Sequence, residues 1–308
     1  MLEIYQQTLS KPITFKGIGL HSGKNSTMKI LPGEVDKGII FKRTDLKENN
    51  IIHANFKNVS SAKLCTTLVN KSGAQVSTVE HLIAAFYISG IDNAIVEINN
   101  EEIPIMDGSA ADFIDEIKKQ DLKKLSKKRK YIKILKNIEL IEGEKKISID
   151  QGKNSLEVEF GLNYKNKIIG HQKNKVDFQN NDLEDVISSR TFCLYEDIEN
   201  IKKLGMAKGG SLENALVVDK DKVLNEDGLR NKNEFVNHKI LDLAGDFLLS
   251  GFRILGNVKC QHGGHELTNK FLRKLMNNKS AFKYFEVKEM FISENIKTIE
   301  STKIAVNA

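Results

Sequence analysis

The chain has 308 residues, 40% apolar and 29% charged, with 47 Lys+Arg against 41 Asp+Glu and a formal charge of +6. This composition excludes disordered and collagen-like chains, and the length points to two domains, since single cores stop growing at about 250–300 residues. No apolar run approaches the roughly 18 residues of a membrane span, residues 1–10 lack a signal-peptide core, and Cys65, Cys193 and Cys260 form no CxxC pair.

In chain order, residues 13–19 (ITFKGIG), 26–31 (STMKIL), 38–43 (GIIFKR) and 66–70 (TTLVN) read as strands of one sheet. Ser77-Thr78-Val79-Glu80-His81 then opens a helix with Val79, Leu82, Ile83 and Phe86 on its apolar stripe; it stops at Ser89-Gly90, and a β-rich run, 94–98, follows. Residues 118–136 hold ten Lys/Arg and one acid. They read as a solvated helix end followed by a linker, close to mid-chain where a domain boundary is expected. No nucleic-acid motif accompanies the run, so a nucleic-acid or anionic-lipid patch is the weaker reading. The division is placed at 1–125 and 126–308.

The second half opens with strand-like 131–135, 138–143, 146–150 and 156–162. A longer helix spans 233–249, stops at Ser250-Gly251, and leads into a strand at 252–260. Each half thus has a helix with a histidine near its start, His81 and His238, 157 positions apart. This suggests a duplicated β/α unit whose two half-sites face each other across a domain interface. Strands early and helices late in each half argue α+β rather than a doubly wound parallel sheet.

Three short segments carry chemistry. His238, Asp242 and Asp246 are spaced i, i+4, i+8 and share one helix stripe, with Ile240, Leu243, Ala244 and Phe247 opposite. Alone, that is also the pattern of a solvated His–Asp face. Ser77-x-x-Glu80 fits a capping box, whereas a Glu beside a His ligand could equally act on a metal-bound water. His262-Gly263-Gly264-His265 reads as a close-approach turn. Together His81, His238 and Asp242 supply three N/O ligands and leave a fourth position open, as a catalytic zinc requires, and the scattered cysteines suit a reducing cytosol rather than a thiolate zinc site. Glu80 as base, His265 as acid, Asp246 as its support and a hydroxyl for the oxyanion would complete an amide hydrolysis. Iron or cobalt could use the same ligands.

The strings GIGLHSG (17–23), LCTTLVN (64–70), STVEHLIAAFYISGIDN (77–93), PIMDGSA (104–110), SSRTF (188–192), VLNEDGLRNKNEFVNHKILDLAGDF (223–247) and GGHELTN (263–269) occur in order. With them the chain resembles the UDP-3-O-acyl-N-acetylglucosamine deacetylases, zinc enzymes of lipid A biosynthesis, over residues 2–275. The resemblance implies a fold of two α+β domains of similar topology, each a mainly antiparallel sheet, with their helices packed against each other and the active site at the interface. It implies zinc on His81, His238 and Asp242, Glu80 as general base, His265 as general acid and Asp246 as supporting carboxylate. Thr191 matches the residue stabilising the oxyanion, Lys239 a contact to the substrate's diphosphate, and Phe192 a residue beside the sugar and acyl region. An acyl-chain passage is implied at 193–221, lined by Leu194, Ile198, Ile201, Leu204 and Met206. The chain departs from the family at His262, where Lys is frequent, and at Asn237, commonly basic; the aromatic that stacks on uracil falls within 160–164. His21 reads as a turn residue shaping the site, and Asp107 as support for the loop ahead of the next helix. The implied protein is a cytoplasmic monomer acting on an acylated UDP-sugar, with no nucleic-acid partner and at most transient membrane-surface contact. A binding module with a structural zinc and a zinc amidase for another acylated amine are the rival readings.

Overall fold

Residues 2–287 are described by the structure, a computed structural model; the expected end of the second domain at 308 lies outside them. The first half gives β1 (Tyr5–Leu9), β2 (Ile13–Ile18), β3 (Asn25–Pro32), β4 (Ile39–Arg43), β5 (Ile51–His53), β6 (Val59–Ser61), β7 (Thr67–Val69) and β8 (Gln75–Val76). Helix α1 (Glu80–Ser89), β9 (Ala94–Ile98), α2 (Ala111–Lys118) and β10 (Leu122–Lys128) follow. The second half runs β11 (Tyr131–Ile134), β12 (Ile138–Glu142), β13 (Lys145–Asp150), β14 (Leu156–Asn163), β15 (His171–Asp177), α3 (Glu184–Ile187), β16 (Phe192–Leu194) and α4 (Tyr195–Lys203). It continues with β17 (Leu216–Asp219), β18 (Lys222–Val223), α5 (Glu234–Leu248), β19 (Arg253–Gln261), α6 (His265–Asn277) and β20 (Phe282–Phe285). The fold is α+β with mostly antiparallel sheets. No helix among the described residues is long and apolar enough to cross a membrane.

Strand order makes the duplication explicit. One sheet runs β2-β3-β9-β4-β5, with β9 antiparallel to β3 and parallel to β4. The seven-stranded sheet contains the same arrangement, β12-β13-β19-β14-β15, with β19 antiparallel to β13 and parallel to β14; β11 and β20 are added beside it. In each unit a buried helix precedes the central strand and another helix follows it. Burial follows the pleat: β3 buries Ser26, Met28 and Ile30, and β9 buries Ala94, Val96 and Ile98.

Helix α1 is buried from Glu80 to Tyr87, and α5 throughout except at Lys239. Helices without an exposed face belong in a core, and these two pack on each other. Their backbones touch at Gly245, where a Cβ would enter the van der Waals shell of the Glu80 carbonyl oxygen and stand 3.1 Å from Ala84 N. A glycine is required there by close approach.

The Lys-rich stretch corrects an expectation, because it is not a linker. Helix α2 ends at Lys118, and β10 pairs antiparallel with β1, Tyr5 opposite Lys128 and Leu9 opposite Leu122. Leu122 and Leu125 are half-buried while Lys123, Lys124 and Lys127 stand in solvent. Charged stems suit an edge strand, since they discourage further strand pairing. Arg129, within the same run, is buried and binds Asp92 Oδ2 (2.7 Å) and the Gly90 carbonyl at the end of α1 (2.6 Å).

Candidate active site and metal centre

Glu80 and His81 are the first residues of α1, and the expected capping box does not form. The helix begins three residues after Ser77, so Val79 occupies the cap position without a side-chain bond. Ser77 Oγ donates instead to the Glu101 carbonyl (3.2 Å). Thr78 holds φ +56°, a left-handed conformation uncommon for a β-branched residue, and turns the chain sharply into the helix. Freed from the cap, Glu80 Oε2 accepts from the Thr66 N–H (3.0 Å).

His81, His238 and Asp242 converge with ligand atoms within 4.8 Å of one another, all buried. Asp242 Oδ1 lies 3.5 Å from His81 Nε2 and 3.4 Å from His238 Nε2. The rings meet edge to face at 4.9 Å. His238 Nδ1 faces the Ser189 carbonyl at 3.1 Å. A carbonyl only accepts, so Nδ1 carries the proton and Nε2 presents its lone pair. Burial pushes the His238 imidazolium down to about 3, against the pull of Asp242, so the ring is neutral. Among the described residues Asp242 Oδ1 is buried without a hydrogen-bond partner, as is His81 Nδ1. A buried carboxylate oxygen facing the Nε2 atoms of two imidazoles, one of them fixed as an acceptor, is what a divalent cation would satisfy. Burial opposes ionisation of Asp242, yet the Lys239 ammonium and the His265 imidazolium outweigh it and hold the carboxyl well below its usual range. The cysteines stay apart from this group; burial pushes Cys65 and Cys260 up to about 12 and Cys193 to about 11, so none is a thiolate at neutral pH.

Beside the ligand group runs a ring of polar contacts. His265 opens α6, its Nδ1 2.8 Å from Asp246 Oδ2 and its Nε2 3.6 Å from Glu80 Oε1. Thr66 Oγ1 donates to Asp246 Oδ1 (2.7 Å), closing the circuit back to Glu80. Burial works against the His265 imidazolium, but Asp246, Glu80 and Asp242 more than offset it and push His265 up to about 10. Burial raises Glu80 above its ordinary value, moderated by His265 and His81. A protonated imidazole and a carboxylate near each other, both shielded from bulk water, can act as acid and base.

Lys239 Nζ donates to Asp242 Oδ2 (2.8 Å) and lies 5.4 Å from the centre of the Phe192 ring. Phe192 also meets Phe235 at 5.0 Å, Tyr164 at 6.0 Å and His238 at 6.4 Å. Thr191 is held by its backbone, donating to the Gly108 carbonyl and accepting from Leu216 N–H, both 2.8 Å. The preceding Arg190 is buried against Glu234, with Nε donating to Oε1 (2.8 Å), and reaches Asp227 Oδ2 (2.7 Å). Glu234 is the first residue of α5, so this pair fixes the 188–192 segment to the helix that carries His238 and Asp242.

The family model described as LpxC: UDP-3-O-acyl N-acetylglycosamine deacetylase matches residues 6–277. The chain belongs to this deacetylase family. A UDP-3-O-acyl-N-acetylglucosamine deacetylase of Geotalea uraniireducens is 41% identical over 284 residues, covering 92% of each chain. Proteins of the same name from Actinobacillus pleuropneumoniae serotype 3 (38% over 291 residues, 93% of this chain and 95% of the relative) and Shewanella violacea (39% over 282 residues, 91% and 92%) are also similar.

At the two positions expected from the resemblance to depart from the family, the structure shows the local surroundings. Asn237 is buried, accepting from Asn174 Nδ2 (2.6 Å) and donating to Asn231 Oδ1 (3.1 Å), so a neutral amide network stands where a cation would need a counter-charge. His262 adopts φ +52° and donates its N–H to the Gly161 carbonyl (3.0 Å). Of the aromatics in 160–164, Phe160 is core, leaving Tyr164, half-buried beside Phe192, as the ring that faces the site. Asp107 supports its loop as expected, accepting from Ser109 N (2.9 Å) and Arg230 Nη1 (2.6 Å). His21 lies in a turn clamped by buried Glu102, which accepts from His21 N (2.8 Å), Ser22 N (2.7 Å) and Thr78 Oγ1 (2.8 Å). The segment at 207–210 docks on the same turn: Lys208 N–H donates to the His21 carbonyl (3.2 Å) and Gly209 N–H to that of Leu20 (3.0 Å). Sequence reasoning missed Thr66, Glu102 and the Arg190–Glu234 pair. Thr66, Arg190 and Glu234 lie within the motif strings, whereas Glu102 lies in none.

Proposed function

We propose that this protein hydrolyses the 2-acetamido group of UDP-3-O-(3-hydroxyacyl)-N-acetylglucosamine, releasing acetate and the free amine, as a zinc-dependent deacetylase of lipid A biosynthesis. The reading rests on one observation above the others: a buried Asp242 Oδ1 facing the Nε2 atoms of His81 and His238, beside the Glu80 carboxylate and the His265 imidazole. His81, His238 and Asp242 would hold the zinc, which would supply Lewis acidity to the amide carbonyl and the attacking water; iron or cobalt would fit the same donors.

The chain's own groups carry the protons. Glu80 accepts the proton of the attacking water, and His265 gives its Nε2 proton to the departing amine. Asp246 holds His265 through Nδ1, fixing which nitrogen faces the substrate. The Thr191 hydroxyl donates to the oxygen that gains charge. Lys239 uses one of its three donors on Asp242 and offers the others to the diphosphate. Phe192 flanks the sugar and acyl region, and Tyr164 stacks on the uracil base. The acyl chain passes along 193–221, where Leu194, Ile198, Ile201 and Met206 are only partly buried and Leu204 is 58% exposed, as a passage rather than a core would leave them. Two units, 1–125 supplying Glu80 and His81 and 126–308 supplying the other groups, meet at this site. The protein works as a cytoplasmic monomer, with transient membrane-surface contact and no nucleic-acid partner.

The test is acetate release from the acylated UDP-sugar, with zinc content measured on wild type and His81→Ala. Wild type is expected to hold one zinc and turn over, with both lost on chelation; His81→Ala is expected to lose both. A metal-free wild type at full turnover, or an unimpaired His81→Ala, would sink the assignment.

A further inference from the structure

Thr66 is 2% exposed and sits in the turn before β7, where it takes part in two separate polar contacts with the site. Its N–H donates to Glu80 Oε2 (3.0 Å) and its Oγ1 donates to Asp246 Oδ1 (2.7 Å). The other oxygen of each carboxylate faces His265: Asp246 Oδ2 is 2.8 Å from Nδ1 and Glu80 Oε1 is 3.6 Å from Nε2. Four residues from four elements therefore form one closed ring. Thr66 is the member that ionises in no reaction, and like His265 it touches both carboxylates. Its carbonyl also accepts from Val79 N–H (3.4 Å), which ties the turn to the start of α1.

We infer that Thr66 is a positioning residue, whose hydroxyl and amide set the base carboxylate of Glu80 and the His265-bearing carboxylate of Asp246 at a fixed separation across the two halves of the fold. The inference rests on the deacetylase reading above. Each carboxylate has a mobile side chain, and a buried oxygen left without its donor would turn to whatever proton it could reach. With Thr66 in place, Asp246 Oδ1 is satisfied, so Oδ2 stays on His265; Glu80 Oε2 is satisfied, so Oε1 stays free for a proton from water. Such preorganisation acts on the rate of the chemical step rather than on substrate affinity. A purely structural threonine would act through its methyl packing, which a valine keeps.

The experiment compares zinc-loaded wild type with Thr66→Val, Thr66→Ser and Thr66→Ala in acetate release from the acylated UDP-sugar, with zinc content and folding checked for each. Valine is expected to lower kcat by about 10- to 100-fold with KM and zinc unchanged. Serine is expected to stay within about threefold of wild type, because it keeps the hydroxyl. In an Asp246→Asn background, Thr66→Val is expected to add less than about twofold, since a residue acting through Asp246 has nothing further to lose. Alanine gives the same reading should the valine variant not fold. Wild-type turnover with an unimpaired valine variant, equal losses in valine and serine, or a change confined to KM overturns the positioning role alone. A correctly loaded wild type that releases no acetate overturns the functional reading and this role together.

Discussion

Glu80→Gln is expected to retain its metal and lose turnover by on the order of 10²–10⁴, the usual contribution of a general base. Glutamine is isosteric, and its carbonyl oxygen can still accept from Thr66 N–H, so α1 and its His81 should stay in place. What it cannot do is take a proton. The residue is 2% exposed, so bulk water cannot readily substitute for its carboxylate. Kinetics of acetate release and metal analysis on the same preparation separate the outcomes. Turnover within a few-fold of wild type would remove Glu80 from the chemistry, and loss of zinc would make it part of the metal site instead.

The second large effect is expected at a helix contact rather than at a titrating side chain. Gly245→Ala adds one methyl where α5 meets the Glu80 carbonyl and Ala84 N of α1. Both neighbours are backbone inside a buried helix, so the methyl can be accommodated only by moving the helices apart. Overpacking of this kind costs about 1–3 kcal/mol, against roughly 0.5–1 kcal/mol gained from replacing a helical glycine. The larger consequence falls on the site, because His81 and Glu80 ride on one helix and His238, Asp242 and Asp246 on the other. A displacement of about 1 Å can cost on the order of 10²-fold in rate. Thermal unfolding and metal titration should both register the change. A variant with wild-type metal affinity and turnover would show that the helix spacing has slack.

Much of the site was legible because helical spacing is local: His238, Asp242 and Asp246 share a stripe whatever surrounds them, and the structure keeps them together. The duplicated units were visible in outline for a similar reason, as helix, glycine stop and β-rich strand recur in each half. Glu80 was ambiguous, since Ser77-x-x-Glu80 is a capping pattern, and only the left-handed Thr78 moves the helix start beyond its reach. The strand β10 was hidden by composition: its lysines dominate the reading, while its pairing with β1 spans more than a hundred residues. Thr66 and Glu102 were illegible as site residues because their meaning comes from tertiary hydrogen bonds, which have no period in sequence.

The ligands of the His-His-Asp group come from helices whose histidines are 157 positions apart. An ion taken up there binds the native chain and has no equivalent preformed site in the unfolded one. Occupancy is therefore a term in the folding equilibrium: at a free concentration a hundred times the dissociation constant it adds about 2.7 kcal/mol. Under the proposed metal assignment, the amount of intact protein should then follow the supply of the ion.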